Sequence, residues 1–316
     1  MTFDFTTTWN QREKWHASGY TDTYRLYHGY EEGVSGLTID RYGEDIIVNS
    51  KVDLGDEILC EIREFLLAHG QWRSIIVKMH QSVKSPRGAR IKNLLDSEIP
   101  KFGIATENEV KYFVDLSSLH SNGFYIDTRP VRKWLKDNTA GRRVLNLFSH
   151  TGSLGLISEI GGAKEVVHVD NGKRAIENTK LSYSLNNLKF DSRSFVRGDI
   201  YYHLPKAIKS NQKFSGIILD PPPNIHPPPH RPKHRPKGQD FETLVAMSAK
   251  LLDKDSWIIC VFHDFHFSHE QHEQMVIDFA KPSCELSPIW RCISDDDFPE
   301  SDSNRKLRAT VFKTPN

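Results

Sequence analysis

The sequence predicts an α/β protein: a doubly wound domain on a seven-stranded, mostly parallel sheet, preceded by a smaller α+β domain. Three observations carry that prediction. From residue 143 to 262, short apolar runs of strand length alternate with stretches whose apolar residues recur at helical spacing. The first four of those runs each stop in polar residues, as strands do when their ends border a crevice. Before residue 105 the texture changes, and hairpin-like strands surround one helical stretch. The expected domains are therefore 1–105 and 106–316.

Taken in order, residues 1–20 are polar with scattered aromatics and read as a short leading helix. Strand texture begins at Tyr24, and 37–48 reads as a hairpin that turns at Tyr42-Gly43-Glu44-Asp45. Ile58, Leu59, Ile62, Phe65 and Leu66 share one helical face, and 74–79 is a further strand. A connecting strand at 110–115 leads to Asn122-Gly-Phe-Tyr-Ile-Asp-Thr-Arg-Pro. There Asp127 or Thr128 can cap a helix that takes Pro130 in its first turn and ends near Asn138. Strands are then expected at 143–148, 165–169, 193–196, 216–219 and 257–262. Helices at 153–160, 173–187, from beyond Gly198-Asp199 to about 210, at 241–252 and at 270–280 separate and follow them, and 289–293 with 307–312 close the sheet as an antiparallel hairpin.

Composition limits the function classes. At 38% hydrophobic and 26% charged, the 316 residues have the balance of a soluble globular protein with a sizeable core. A formal charge of +1 gives no global attraction to nucleic acid, so any such surface must be a local patch. Cys60, Cys260, Cys284 and Cys292 lie far apart or singly, so neither a zinc ribbon nor a disulfide scaffold is indicated. The start has no basic and apolar leader pattern, and no run approaches the roughly 20 apolar residues of a membrane span. A cytoplasmic protein is expected, with no membrane partner.

The strand ends carry the chemistry. Val144-Leu-Asn-Leu-Phe-Ser-His-Thr-Gly-Ser reads as a strand stopping in a polar turn and restarting as a helix, which sets backbone N–H groups beside a crevice. The next run ends in Asp170, placed as acids that bind ribose hydroxyls are placed. Gly198-Asp199 and Asp220-Pro221-Pro222 end the third and fourth. In a parallel sheet these four ends share one edge. A dinucleotide fold wants Gly-x-Gly-x-x-Gly to admit a pyrophosphate. Here only Gly152 and Gly155 are glycine, which argues against NAD and suits S-adenosyl-L-methionine. Asp170 would then take the ribose, Asp199 the adenine amino group, and Asp220 a place beside the methyl donor.

Residues 24 to about 262 resemble the bacterial large-subunit rRNA methyltransferases, class I enzymes with a Rossmann-like fold that modify 23S rRNA at cytosine C5 or guanine N7. The resemblance rests on Arg25-Leu-Tyr-His-Gly, Gly36-Leu-Thr-Ile-Asp-Arg-Tyr-Gly, Gly123-Phe-Tyr-Ile-Asp-Thr-Arg, Asn146-Leu-Phe-Ser-His-Thr-Gly-Ser and Asp220-Pro-Pro. It implies that Asn146, Phe148, Ser149, Thr151 and Gly152 wrap the methionine end of the cofactor. Phe124, Asp127 and Arg129 would close the pocket, and Asp220 with the Pro221 or Pro222 carbonyl would orient the acceptor. The cytosine-C5 members resemble one another in a Phe-Ser-Cys-Ser run; this chain reads Phe262-His-Asp-Phe, with Asp264 in place of the nucleophilic cysteine. Cys260 lies in an apolar strand and reads as a core thiol. A nitrogen acceptor such as guanine is therefore favoured over cytosine C5. On this reading, the front RNA-binding module of some relatives is expected to be missing. Action on a protein or small molecule, or a non-catalytic RNA-binding role, stays open on the same fold.

Two basic stretches extend the reading. Lys84, Arg87, Arg90 and Lys92 bracket Pro86-Arg87-Gly88, either to contact phosphates or as a solvated hairpin tip. Arg231, Lys233, Arg235 and Lys237 fall at every second position of a proline-rich loop free of acids. It is read as tracking the RNA backbone, the alternative being an unstructured charged insertion. The expected partner is thus RNA, ribosomal by resemblance; a homodimer is compatible. Pro223 stands where amino-group enzymes carry a stacking aromatic, so the base-holding ring is unassigned. His263, His266, His269 and His272 recur every third residue, a poor step for zinc on a helix, and no metal is expected. Asp295-Asp296-Asp297 reads as a solvated turn without a role.

Overall fold

Leu37 and Ile39, and Ile46 and Val48 on the next strand, alternate with Thr38, Asp40 and Asn49, and this period of two gives the first sheet one apolar and one more polar face. The computed structural model describes residues 4–80, 90–119, 121–223 and 240–315, which form two units. The first comprises Met1–Ile126 with Asp295–Ser301, and the second Asp127–Ser294 with Asp302–Asn316.

In the first unit, α1 (Phe5–Gln11) and α2 (Glu13–His16) precede β1 (Thr23–His28), β2 (Leu37–Tyr42) and β3 (Asp45–Ser50). Helix α3 (Asp56–His69) then crosses to β4 (Ser74–Met79), and β5 (Arg90–Asn93) completes the order β1-β2-β3-β4-β5. The α3 crossover makes β3 and β4 parallel, and every other neighbouring pair is antiparallel. Leu59, Ile62 and Leu66 of α3 join Phe5 of α1 over the apolar face, on Leu37, Ile39, Val48 and Val77. A second hairpin, β6 (Gly103–Glu107) with β7 (Val110–Val114), had no clear sequence signal before its second strand. It straddles the boundary expected at residue 105, and the chain divides instead after Ile126. The single leading helix expected over 1–20 is two short helices separated at Arg12, whose guanidinium bonds the Arg25 carbonyl and Glu32.

Two buried polar arrangements hold this unit. Lys78 is only 1% exposed, and its Nζ donates to the Ser118 carbonyl at 2.6 Å and to Asn122 Oδ1. Burial lowers its pKa to about 8. The Asp295–Ser301 segment is no solvated turn. Asp297 is fully buried and accepts from the Arg25 backbone N–H at 3.0 Å, while Asp296 accepts from Trp15 Nε1. His28 Nε2 donates to Glu300 at 2.7 Å. The sequence shows three adjacent acids and nothing of the donors, which lie some 270 residues away, as with Asp297 and Arg25.

The second unit carries the predicted alternation. Helix α4 (Arg129–Asn138) leads into β8 (Arg143–Leu147), α5 (Ser153–Ile160), β9 (Glu165–Asp170), α6 (Lys173–Leu185), β10 (Phe195–Arg197), α7 (Ile200–Lys209) and β11 (Phe214–Leu219). Then come α8 (Phe241–Leu251), β12 (Leu252–Phe262), α9 (His269–Ala280), β13 (Ser287–Ile293) and β14 (Arg308–Lys313). The seven strands lie in the order β10-β9-β8-β11-β12-β14-β13, the first five parallel and β14 antiparallel to both its neighbours. The order reverses at β8, and the crevice between β8 and β11 is the switch point where ligands of such sheets bind. Val167, Leu145, Leu219, Ile258 and Cys260 form the sheet's share of a core capped by Leu204, Leu244 and Val276 from the helices. Thr128 occupies the N-cap of α4 without capping it: its hydroxyl instead accepts from Arg132 at 2.6 Å.

Candidate active site

Register places the strand ends together. Leu147 pairs with Val169 on one side and with Leu219 on the other, Asp170 pairs with Arg197, and Leu219 pairs with Cys260. The residues that follow each strand therefore emerge along one margin, and Asp170, Asp199 and Asp220 belong to it.

The loop after β8 is tightly wound. Phe148, His150 and Gly152 have φ of +54°, +47° and +75°, alternating with residues of ordinary φ. Two left-handed residues in this loop are not glycine, a strain held by the surroundings and common at ligand sites. Asp170 does much of the holding: Oδ2 accepts the His150 N–H and Oδ1 the Gly172 N–H, both at 2.8 Å. Each carboxylate oxygen keeps a second lone pair for a ribose hydroxyl. Asp199 is exposed and caps α7 through the Tyr201 N–H at 2.7 Å, leaving its other oxygen for an amino group.

The expected loop residues divide by what they touch. Ser149 is buried, yet its hydroxyl has no partner among the described residues, and α5 begins without a side-chain cap. An orphaned hydroxyl beside uncapped helix amides fits the polar amino-acid end of S-adenosylmethionine. Thr151 is buried in the same turn, and Phe148 rests against the core. Asn146 has an interior partner, its amide nitrogen lying 3.3 Å from His168 Nδ1. Gly152 is required by packing as well as φ, since a Cβ there would come within 2.2 Å of Thr179. Asp127 follows Ile126 in a short 3-10 turn, and Arg129 is buried at the start of α4. Phe124 belongs to the first unit, its ring 4.6 Å from that of Tyr112.

Asp220 leaves β11 half-buried, with Pro221 buried and Pro222 exposed after it. His263, just past β12, donates from Nε2 to Asp220 Oδ1 at 2.7 Å. Burial would lower the imidazole's pKa, but the Asp220 hydrogen bond and the charges of Asp220 and Asp127 outweigh it, and the net shift is upward. Sequence reasoning noticed the histidine series without separating this member. The remaining three are engaged elsewhere: His266 bonds Asp264, His269 bonds Thr310, and His272 stacks on Phe262. Among the described residues no cluster could hold a metal ion.

Of the basic residues singled out, Arg90 lies in β5 and pairs with Asp53 at 3.2 Å. Lys84, Arg87, Arg231, Lys233, Arg235 and Lys237 lie outside the described residues.

Residues 71–313 match the family model described as S-adenosylmethionine-dependent methyltransferase. The chain belongs to that methyltransferase family. Among relatives of this methyltransferase, the ribosomal RNA large subunit methyltransferase I of Aeromonas salmonicida (strain A449) is 35% identical over 202 residues, 63% of this chain and 51% of that protein. The chain thus spans about half the length of the curated relatives it matches. SMU.776, a methyltransferase crystallised with SAH, superposes with a TM-score of 0.83 at 22% identity over 98% of this chain and 80% of its own. A Streptococcus mutans S-adenosylmethionine-dependent methyltransferase superposes with the same TM-score at 21% identity, over 99% of this chain and 82% of its own. At that identity the likeness shows the fold, a seven-stranded methyltransferase sheet.

Proposed function

We propose that this methyltransferase modifies a base of large-subunit ribosomal RNA, at a nitrogen such as those of guanine rather than at cytosine C5. The observation that carries the reading is Asp220 with its two prolines at the switch-point crevice, braced by His263 in a chain whose relatives are named for large-subunit rRNA. When bound, S-adenosylmethionine supplies a methyl group activated on a sulfonium. Ser149 and the first turn of α5 would hold its amino-acid end, Asp170 its ribose and Asp199 its adenine.

The protein's work is then mostly positioning. Asp220 is an acceptor for a base N–H, and the Pro221 or Pro222 carbonyl offers a second. His263 keeps the Asp220 carboxylate in one rotamer. A transfer between oriented groups needs no covalent enzyme intermediate and can draw about 7–11 kcal/mol from orientation alone. Cytosine C5 requires a thiolate, and the chemistry nearby does not favour one. Asp264 is 7% exposed and bonded to His266, while burial pushes the Cys260 thiol far up.

Nucleoside mass spectrometry of 23S rRNA from cells with and without the gene tests the reading. One methylated base, nitrogen-linked, should disappear with the gene and return with the wild-type copy. Asp220→Ala should fail to restore it while still binding S-adenosylmethionine by calorimetry. Full restoration by that variant would remove Asp220 from the mechanism. No helix among the described residues is long and apolar enough to cross a membrane. Residence in the cytoplasm and a homodimer belong to the same proposal.

A further inference from the structure

The first unit has an open cleft of about 580 Å³ on the more polar side of its sheet, within the range of small-ligand sites. Its floor follows from the strand period. Thr38 and Asn49 are directly paired across β2 and β3 and point away from the apolar core. Their side chains have no hydrogen-bond partner among the described residues, although both are half-buried. Such a pair offers donors and acceptors at the bottom of a recess. Asn122, in the wall, is held by Lys78 on one side and Tyr42 on the other, so that wall is anchored.

The rim differs from the floor. Tyr30 is 55% and Tyr125 49% exposed, two large rings left in solvent beside one recess. Lys51 is exposed and has no ion-pair partner among the described residues. Arg25 also lines the cleft but is already bridged to Asp40. No carboxylate lines the cleft among the described residues. Aromatic faces, a neutral amide and hydroxyl floor, and a cation without an acid match the three parts of a nucleotide: base face, base edge and phosphate.

We infer that this cleft holds one unstacked nucleotide of single-stranded RNA, its base against Tyr30 or Tyr125, its edge on Asn49 and Thr38, and its phosphate at Lys51. This rests on the proposed RNA substrate. It makes the first unit a reader of unpaired RNA rather than a passive support.

Fluorescence anisotropy with a labelled 12-nucleotide single-stranded RNA tests it, using the full chain at elevated salt so that phosphate contacts are screened. Tyr30→Ala or Tyr125→Ala should weaken binding about tenfold at whichever ring stacks, and the matching Tyr→Phe variant should restore it, because the ring and not the hydroxyl is used. In a separate titration over a range of salt concentrations, Lys51→Ser should reduce the salt dependence by about one phosphate contact. Calorimetric uptake of S-adenosylmethionine should be unchanged in all variants, which guards against misfolding. Wild-type-like binding by the Tyr30→Ala/Tyr125→Ala double variant, or equal competition by a duplex of the same length, overturns the cleft. If wild type methylates rRNA in that case, the rRNA reading survives. If wild type neither binds the oligonucleotide nor methylates rRNA, both readings fall.

Discussion

At the scale of single residues, the Asp220–His263 pair decides how the site responds to pH. The imidazole is half-buried, and desolvation alone would favour its neutral form, but the carboxylate it faces shifts the balance toward the protonated one. Its folded-state pKa lies above the unfolded value of about 6.5. The pair's stabilisation is thus complete below that value and is lost as pH rises through the folded pKa. Titration of the His263 Cε1 proton by NMR should show a midpoint above 6.5 in wild type. In Asp220→Asn, burial is left with less to oppose it, and the midpoint should fall; an unmoved midpoint would dissociate the two groups. His263→Gln should lower kcat more than it raises KM, because it disturbs the orientation of Asp220 rather than a binding contact.

Among the elements, α5 and its loop show how much the sequence discloses. The helix fell where its apolar spacing put it, Ser153–Ile160, and β4 at Ser74–Met79 did likewise, because local pattern and burial agree in both. Phe148 was expected at the end of β8 and has instead φ +54°, a conformation that hydrophobicity does not report. The separate jobs of Asn146 and Ser149 were equally hidden, since one faces His168 from the next strand and the other finds no partner among the described residues. His263 went unseparated from its neighbours because its meaning lies in Asp220, 43 positions earlier. Gly155 offers a direct test of the packing beneath the loop. A Cβ there would lie 2.3 Å from the His168 ring and 2.8 Å from the Asn146 amide, both buried. Gly155→Ala should cost about 1–3 kcal/mol, seen as a lower thermal midpoint. Unchanged stability would mean that α5 can lift from β9 freely.

For the whole molecule, net charge and local charge have to be separated. A formal charge of +1 cannot draw in RNA from a distance, so binding depends on where the cations are. Replacing Arg231, Lys233, Arg235 and Lys237 by Ser should weaken rRNA binding and flatten its dependence on salt, by about 0.7 in slope for each single-strand phosphate no longer neutralised. An unaltered slope would mean that these four cations do not touch RNA. Since S-adenosylmethionine binds only the folded site, a hundredfold excess over its Kd should add about 2.7 kcal/mol of apparent stability, measurable by thermal shift and absent if Asp170→Ala abolishes uptake.

The seven residues Asp295–Ser301 give the first unit an unusual assembly order. Their carboxylates receive the Arg25 amide, the Trp15 indole and the His28 imidazole, all belonging to the opening of the chain. A ribosome producing this polypeptide must therefore pass residue 297 before β1 obtains that acceptor. Until then Asp297's place stays unfilled, and the sheet of the first unit waits on a residue made 272 positions after Arg25.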